Sequence, residues 1–231
     1  MPPPTARIQW VDSLRGTAIV LMVIFHFCYD LRHFGWVDWD VPNGPNWWPF
    51  RYLILTLFIF TMGLSLSLAH GNGFRPRQYA TRLLHLALAA AAVTAMSLIL
   101  FPNSWIYFGI LHFLLAASLL TLPLVAAPRT ALALAALVLI LYGSGTLSST
   151  WPFAALNGLP AHTEDYVPLV PWTAIALLGI AAGRLLPLPR YQTHLNWLPT
   201  PLAPLGRHSL LIYLTHQPIL FAAFYLVETL R

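Results

Sequence analysis

Apolar residues in this chain fall into long continuous runs separated by short breaks, with no sustained alternation of apolar and polar positions. A bilayer's hydrocarbon core of ~30 Å takes ~20 residues of helix. Runs near that length lie at residues 10–31, 51–70, 82–101, 105–126, 130–147, 168–186 and 205–229. The breaks carry turn-forming residues: Pro42-Asn43-Gly44-Pro45, Gly71-Asn72-Gly73, Pro102-Asn103, Pro128, Gly143-Ser144-Gly145, and Pro187 with Pro189. Runs this long and unbroken predict helices rather than a barrel, because within lipid every backbone polar group must be satisfied internally. The expectation is an all-α, polytopic integral membrane bundle of about seven transmembrane helices in a single domain over residues 1–231. The fifth run is the shortest, and glycine interrupts its end.

Arginine placement predicts the orientation. With the N-terminus in the cytoplasm, Arg7, Arg15, Arg75, Arg77, Arg82, Arg129, Arg184, Arg190 and Arg207 are cytoplasmic, while Arg32, Arg51 and Arg231 are not. Trp36, Trp39, Trp47, Trp48, Trp105, Trp151 and Trp172 gather on the opposite side, as an interfacial aromatic belt would. No small-residue cleavage signature follows the first apolar run, so the first helix is expected to be retained.

Composition sharpens this picture. Hydrophobic residues make up 58% of the chain and charged residues 8%, with a mean hydropathy of +0.68, too little polarity to clothe a water-facing surface. The net charge of +5 comes from arginines spaced along short connections, which suits membrane orientation and not nucleic acid. Every basic residue is arginine; there is no lysine. The single cysteine, Cys28, excludes an intrachain disulfide and a cysteine metal site, and it has no evident cationic neighbour to activate it.

The first run carries the most informative polar pattern. Asp12, Arg15, Ile19, Met22, His26, Asp30 and His33 follow one another at three- and four-residue steps, which is one face of a helix. Ionisable groups at membrane depth are costly and point to function. Asp12 and Arg15 read as a structural clasp. Asp30, one turn beyond His26, is placed to accept a hydrogen bond from the imidazole and fix its tautomer, leaving the other nitrogen as a base. The competing reading is that His26 only completes a polar contact between helices. His112 and His216 each either face the same cavity or bond across helices. His70, His85, His162, His194 and His208 read as boundary, packing or loop residues, and apart from His26 and Asp30 no histidine and carboxylate cluster has metal-ligand spacing.

The order of several motifs carries a resemblance. Arg7-x4-Asp12-x2-Arg15-Gly16, with Phe25-His26 closing the apolar run, resembles the opening of transmembrane acyltransferases, both the acyltransferase-3 family and the heparan-alpha-glucosaminide N-acetyltransferase catalytic-domain family. Phe58 to Ser65, Phe108-Gly109-Ile110-Leu111-His112, Asp165 to Trp172, and Leu205-Gly206-Arg207-His208-Ser209 through Tyr213 to His216-Gln217-Pro218 are similar to small bacterial members of the second. The resemblance implies transfer of an acetyl or other short acyl group from cytoplasmic acyl-coenzyme A to a hydroxyl or amine of a sugar-like acceptor at the outer face of a bacterial inner membrane. The first-helix histidine of the acyltransferase-3 family falls on His26. The lysosomal relative places its histidine in the following loop, at a spacing where this chain has none; the nearest loop candidate is His33, so His26 and His33 stay unresolved.

On this reading the catalytic candidates are His26, Asp30, His33, His112 and His216. Arg75, Arg77 and Arg82 form the densest basic loop and suit coenzyme A phosphates, or serve only as cytoplasmic anchors. Arg15, Arg207, Ser209 and Tyr213 complete the donor-binding candidates, with His112, Ser209 and Tyr213 available to an oxyanion. Acetyl-CoA enters as acyl-donor substrate, and no metal is expected. The partners are acyl-CoA, a sugar-like or other small acceptor and membrane lipids, without nucleic acid, and a homodimer is among the assemblies open to it. Two alternatives remain. A proton-coupled transporter would relay through His26, Asp30, His112 and His216, although no inverted repeat supports it. A ligand-sensing receptor shares the helix number but inverts the N-terminus.

Overall fold

The structure, a computed structural model of the chain, describes residues 8–153, 156–188 and 200–230. Arg7, Arg190, His194 and Arg231 lie outside them. The apolar runs become helices α1 (Gln9–His33), α2 (Trp47–His70), α3 (Pro76–Leu100), α4 (Ile110–Thr121), α5 (Pro128–Gly143) and α6 (Leu169–Leu185), followed by the short α7 (Ala203–Arg207) and then α8 (Ser209–Thr229). Among the described residues there is no strand, only an isolated parallel bridge between Phe108 and Tyr166. Helices α1, α2, α3 and α8 are long and apolar enough to cross a membrane, and the remaining apolar helices are shorter. Ile99, Leu88, Leu211 and Ile219 lie well over half exposed on these helices, which suits a surface solvated by lipid.

Two of the predicted runs end differently in the structure. The fourth begins at Ile110, not Trp105, because the Asp165 carboxylate accepts the Ile110 N–H at 2.9 Å and so caps the helix there. Residues 105–109 instead lie outside the helix, with Phe108 bridged to Tyr166. The seventh run breaks at His208, where α7 ends and α8 starts.

The chain divides into two compact units, residues 1–58 with 189–231, and residues 59–188. In the first, α1 packs against α7 and α8, around a core of Ile19, Met22, Phe25, Val41 and Ile54. The α1–α7 contact is backbone on backbone: a Cβ at Gly16 would collide with the Leu202 carbonyl, and one at Gly206 with that of Asp12. In the second, α6 is the central helix, buried along most of its length and packed on α4 and α5. Gly63 and Gly179 let the second half of α2 lie against α6 in the same backbone-to-backbone manner, the small-residue packing that membrane helices use in place of a hydrophobic drive.

Element order gives the second unit a charge axis. Arg75, Arg77 and Arg82 stand at the α2–α3 turn, Arg129 begins α5 and Arg184 ends α6, where it donates to Asn72 at 3.2 Å. Its two acids, Glu164 and Asp165, belong to the opposite end. Gly179→Val is expected to destabilise the fold by about 1–3 kcal/mol through overpacking, seen as a lower melting temperature in detergent. Gly143→Val, which meets nothing nearby, should melt like the wild type.

Candidate functional site

Helices α1 and α8 bring four polar residues into one buried seam in the first unit. From α1 come His26 and, one turn on, the fully buried Asp30; from α8 come His216, also buried, and its neighbour Gln217. The rings of His26 and His216 meet edge to face, centroids 4.7 Å apart. Gln217 donates its amide N–H to Asp30 Oδ1 at 2.7 Å. Tyr213, one turn before Gln217, places its ring 5.7 Å from that of His216.

The expected His26–Asp30 bond is not formed. The His26 side chain leans back along its helix, as helical side chains do, and Nδ1 lies 2.9 Å from the Met22 carbonyl. Asp30 is served by Gln217 instead. The outcome for the ring is nonetheless the one expected of a base. A carbonyl can only accept, so Nδ1 carries the proton and Nε2 keeps its lone pair. His216 repeats the arrangement, with Nδ1 at 2.7 Å from the Tyr213 carbonyl.

Satisfaction of the seam is therefore one-sided. His216 Nε2, Asp30 Oδ2 and Gln217 Oε1 are buried and have no hydrogen-bond partner among the described residues. By the tautomer and amide assignments above, each is able to accept. Together with His26 Nε2 they suit a group that arrives with N–H or O–H protons to give. Arg51, from the first half of α2, lies within electrostatic reach of His26.

The remaining sequence candidates divide. His33 is exposed at the end of α1, inside an aromatic clasp with Tyr29, Phe34 and Phe221, and contributes packing rather than a place in the seam. His112 belongs to the second unit, and both its nitrogens are used. Nδ1 accepts the Gly109 N–H at 3.3 Å, and Nε2 meets Thr94 Oγ1 at 3.0 Å, whose own proton goes to the Ile106 carbonyl. It pins α3 to the start of α4, which leaves it no spare donor for an oxyanion. Ser209 opens α8, two turns before His216, and so is remote from the ring pair. Near Ile110, burial pushes the phenols of Tyr107 and Tyr166 up.

At the opposite end of α1, Asp12 is buried between two guanidiniums, Arg15 at 3.0 Å and Arg207 at 3.6 Å. Two cations share one carboxylate, and Arg207 remains half-exposed. In the second unit the Arg75 N–H donates to His70 Nδ1 at 3.4 Å, shaping the basic α2–α3 turn, with Arg77 exposed.

Residues 7–218 match the family model for heparan-alpha-glucosaminide N-acetyltransferase, catalytic. The chain belongs to that family. Membership makes it a membrane-embedded transferase of the acetyltransferase type. No curated protein and no solved structure matches it. The family match ends at Pro218, directly after the two α8 residues of the seam.

Sequence reasoning missed Gln217 and Arg51 as site residues. The signal for Gln217 was a second polar side chain beside His216 within an apolar helix. For Arg51 it was a charge at the start of an apolar run, counted only for orientation. His112→Ala should lower stability by about 1–3 kcal/mol, the cost of leaving buried polar groups unpaired, measured by thermal melting. Acetyl transfer per folded molecule should stay within about twofold, since a stability change of that kind leaves the seam's groups in place.

Proposed function

We propose that this member of the family moves an acetyl or other short acyl group from cytoplasmic acyl-CoA to a hydroxyl or amine of a sugar-like acceptor at the outer face of a bacterial inner membrane, through His26. The observation that carries this is the tautomer of His26, whose Nε2 lone pair stands in a seam where the other free polar atoms also accept. A base that receives an acceptor's proton needs that state and those neighbours.

As the acceptor oxygen or nitrogen attacks the thioester carbon, His26 Nε2 takes its proton. The new C–O or C–N bond forms, the C–S bond breaks, and the coenzyme A thiolate recovers the proton from the imidazolium. Alternatively Nε2 attacks the thioester carbon first, the C–S bond breaks and the coenzyme A thiolate leaves; the acceptor then attacks the acyl-histidine, its proton passing to His216 as the N–C bond breaks and frees His26. Ping-pong kinetics separate this route from the ternary one. Arg51 would supply the cation for the developing oxyanion. Arg15 stands about 16 Å from His26 at 1.5 Å per residue along α1, a distance that an extended pantetheine arm covers. This supports Arg15 and Arg207 as phosphate partners, with Ser209 and Tyr213 following on α8. Arg75, Arg77 and Arg82 offer the same chemistry in the second unit. The positive-inside rule supports placing both arginine groups in the cytoplasm.

The test is acetyl transfer from labelled acetyl-CoA in proteoliposomes. His26→Ala should abolish transfer while the protein remains folded and inserted, and His33→Ala should retain it; full activity in His26→Ala sinks the assignment. Substituting Arg207 by Ala should raise KM for acetyl-CoA more than it lowers kcat, because a phosphate contact is made equally in ground and transition states. If Arg75→Ala, Arg77→Ala and Arg82→Ala leave KM unchanged, those arginines are anchors.

A further inference from the structure

Helix α3 buries Tyr79, Leu86, Ala89, Ala90 and Ser97, all on one side. The opposite side carries Arg77, Thr81, His85, Leu88, Ala92 and Ile99, every one of them exposed. At 3.6 residues per turn these six fall within about 80° of one another, so they form a single stripe along an open face. Its first three residues are polar and its last three apolar. Arg77, Thr81 and His85 have no hydrogen-bond, ion-pair or ring partner among the described residues. Ionisable side chains of membrane helices almost always face the bundle interior. His85 faces away from it.

The unit offers the stripe no counter-charge. Residues 59–188 contain five arginines but only two acids, Glu164 and Asp165. Both acids are engaged at the other end of the unit, by Ser104 Oγ at 2.6 Å and by the Ile110 N–H. Nor do the three arginines of the α2–α3 turn act as one patch. Arg82 lies about 140° around α3 from Arg77, within electrostatic reach of His70, and the Arg75 N–H also meets His70. Arg77 alone heads the stripe.

We propose that this stripe holds one anionic phospholipid of the leaflet at the arginine end of α3, the cytoplasmic one by the positive-inside rule. Arg77 and the Thr81 hydroxyl would donate to its phosphate, the His85 ring N–H to phosphate or glycerol ester oxygens, and one acyl chain would lie along Leu88, Ala92 and Ile99. The lengths agree. At 25 residues α3 is about 37 Å long, more than the ~30 Å hydrocarbon core, so its first turn reaches the headgroup layer. Helical side chains lean toward the N-terminus of their helix. For α3 that is the arginine end, so His85 extends its polar tip toward the headgroups, as snorkelling residues do. Charge favours a lipid over a second copy of the chain. A two-fold contact through this face would bring Arg77 against Arg77 at one level of the membrane, and like charges oppose it. The inference does not depend on the acyl-transfer reading.

Binding is measured by native mass spectrometry of the purified protein in detergent, titrated with phosphatidylglycerol or with phosphatidylcholine of the same acyl chains. The expected result is a first phosphatidylglycerol bound about tenfold more tightly than phosphatidylcholine, or ~1.4 kcal/mol. The double variant Arg77→Gln with His85→Leu should lose about that tenfold, with phosphatidylcholine binding and melting temperature unchanged because both side chains touch nothing. Arg129→Gln removes a charge elsewhere in the same unit and should stay within about twofold of the wild type. Equal affinity for the two lipids, or a double variant that binds as the wild type does, overturns the site. A loss in Arg129→Gln as large as in the double variant overturns it in favour of a diffuse basic field. Displacement of the bound lipid by excess coenzyme A would give the face to the acyl donor, and a dimer mass that the double variant loses would give it to a second copy; either overturns the lipid.

Discussion

A buried carboxylate inside an apolar bundle must be answered by a donor, and for Asp30 that donor is the amide of Gln217 at 2.7 Å. This bond ties α8 to α1 beside the point where the His216 ring meets that of His26. The carbonyl oxygen of the same amide is buried with no hydrogen-bond partner among the described residues. The seam's chemistry thus follows from how one charge was satisfied. A glutamate at position 217 could not make the same donation when ionised, and an apolar residue would leave Asp30 alone.

The other end of α1 is fixed by different physics. There the backbones of α1 and α7 touch at Gly16 and Gly206, and Asp12 holds Arg15 and Arg207 together. Close backbone packing sets position, and the ion cluster leaves a net positive charge. The middle of the helix, from Ile19 to Met22, is apolar, with Ile19 and Met22 buried in the core. One helix therefore carries a cationic end and an acceptor-rich end, separated by a dry stretch.

Much of this was legible in the sequence, and the limits have a physical origin. The helices were readable because long apolar runs have few other solutions in lipid. The polar face of α1 was readable because helical periodicity needs no partner. What one strand of sequence could not reveal was who satisfies whom. His26 bonds its own turn rather than Asp30, a local competition between side chain and backbone. Gln217 reaches Asp30 only once α1 and α8 are paired. His112 was open to a cavity or to a bond between helices, and the bond is what forms, to Thr94 and the Gly109 amide. The late start of α4 likewise depends on a distant residue, Asp165.

The basic ends of both units are built from arginine alone, in a chain without a single lysine. A guanidinium stays protonated under any condition the membrane meets and is not a nucleophile, whereas a lysine ammonium loses its proton readily when desolvated. An acyl thioester held against amines would be consumed by them, each collision modifying the protein and erasing the charge that bound the donor. Arginine rims offer the same attraction with no side-chain amine to be acylated. For the proposed reaction, the chain would be protected from its own substrate, and its binding charge would not decay with turnover.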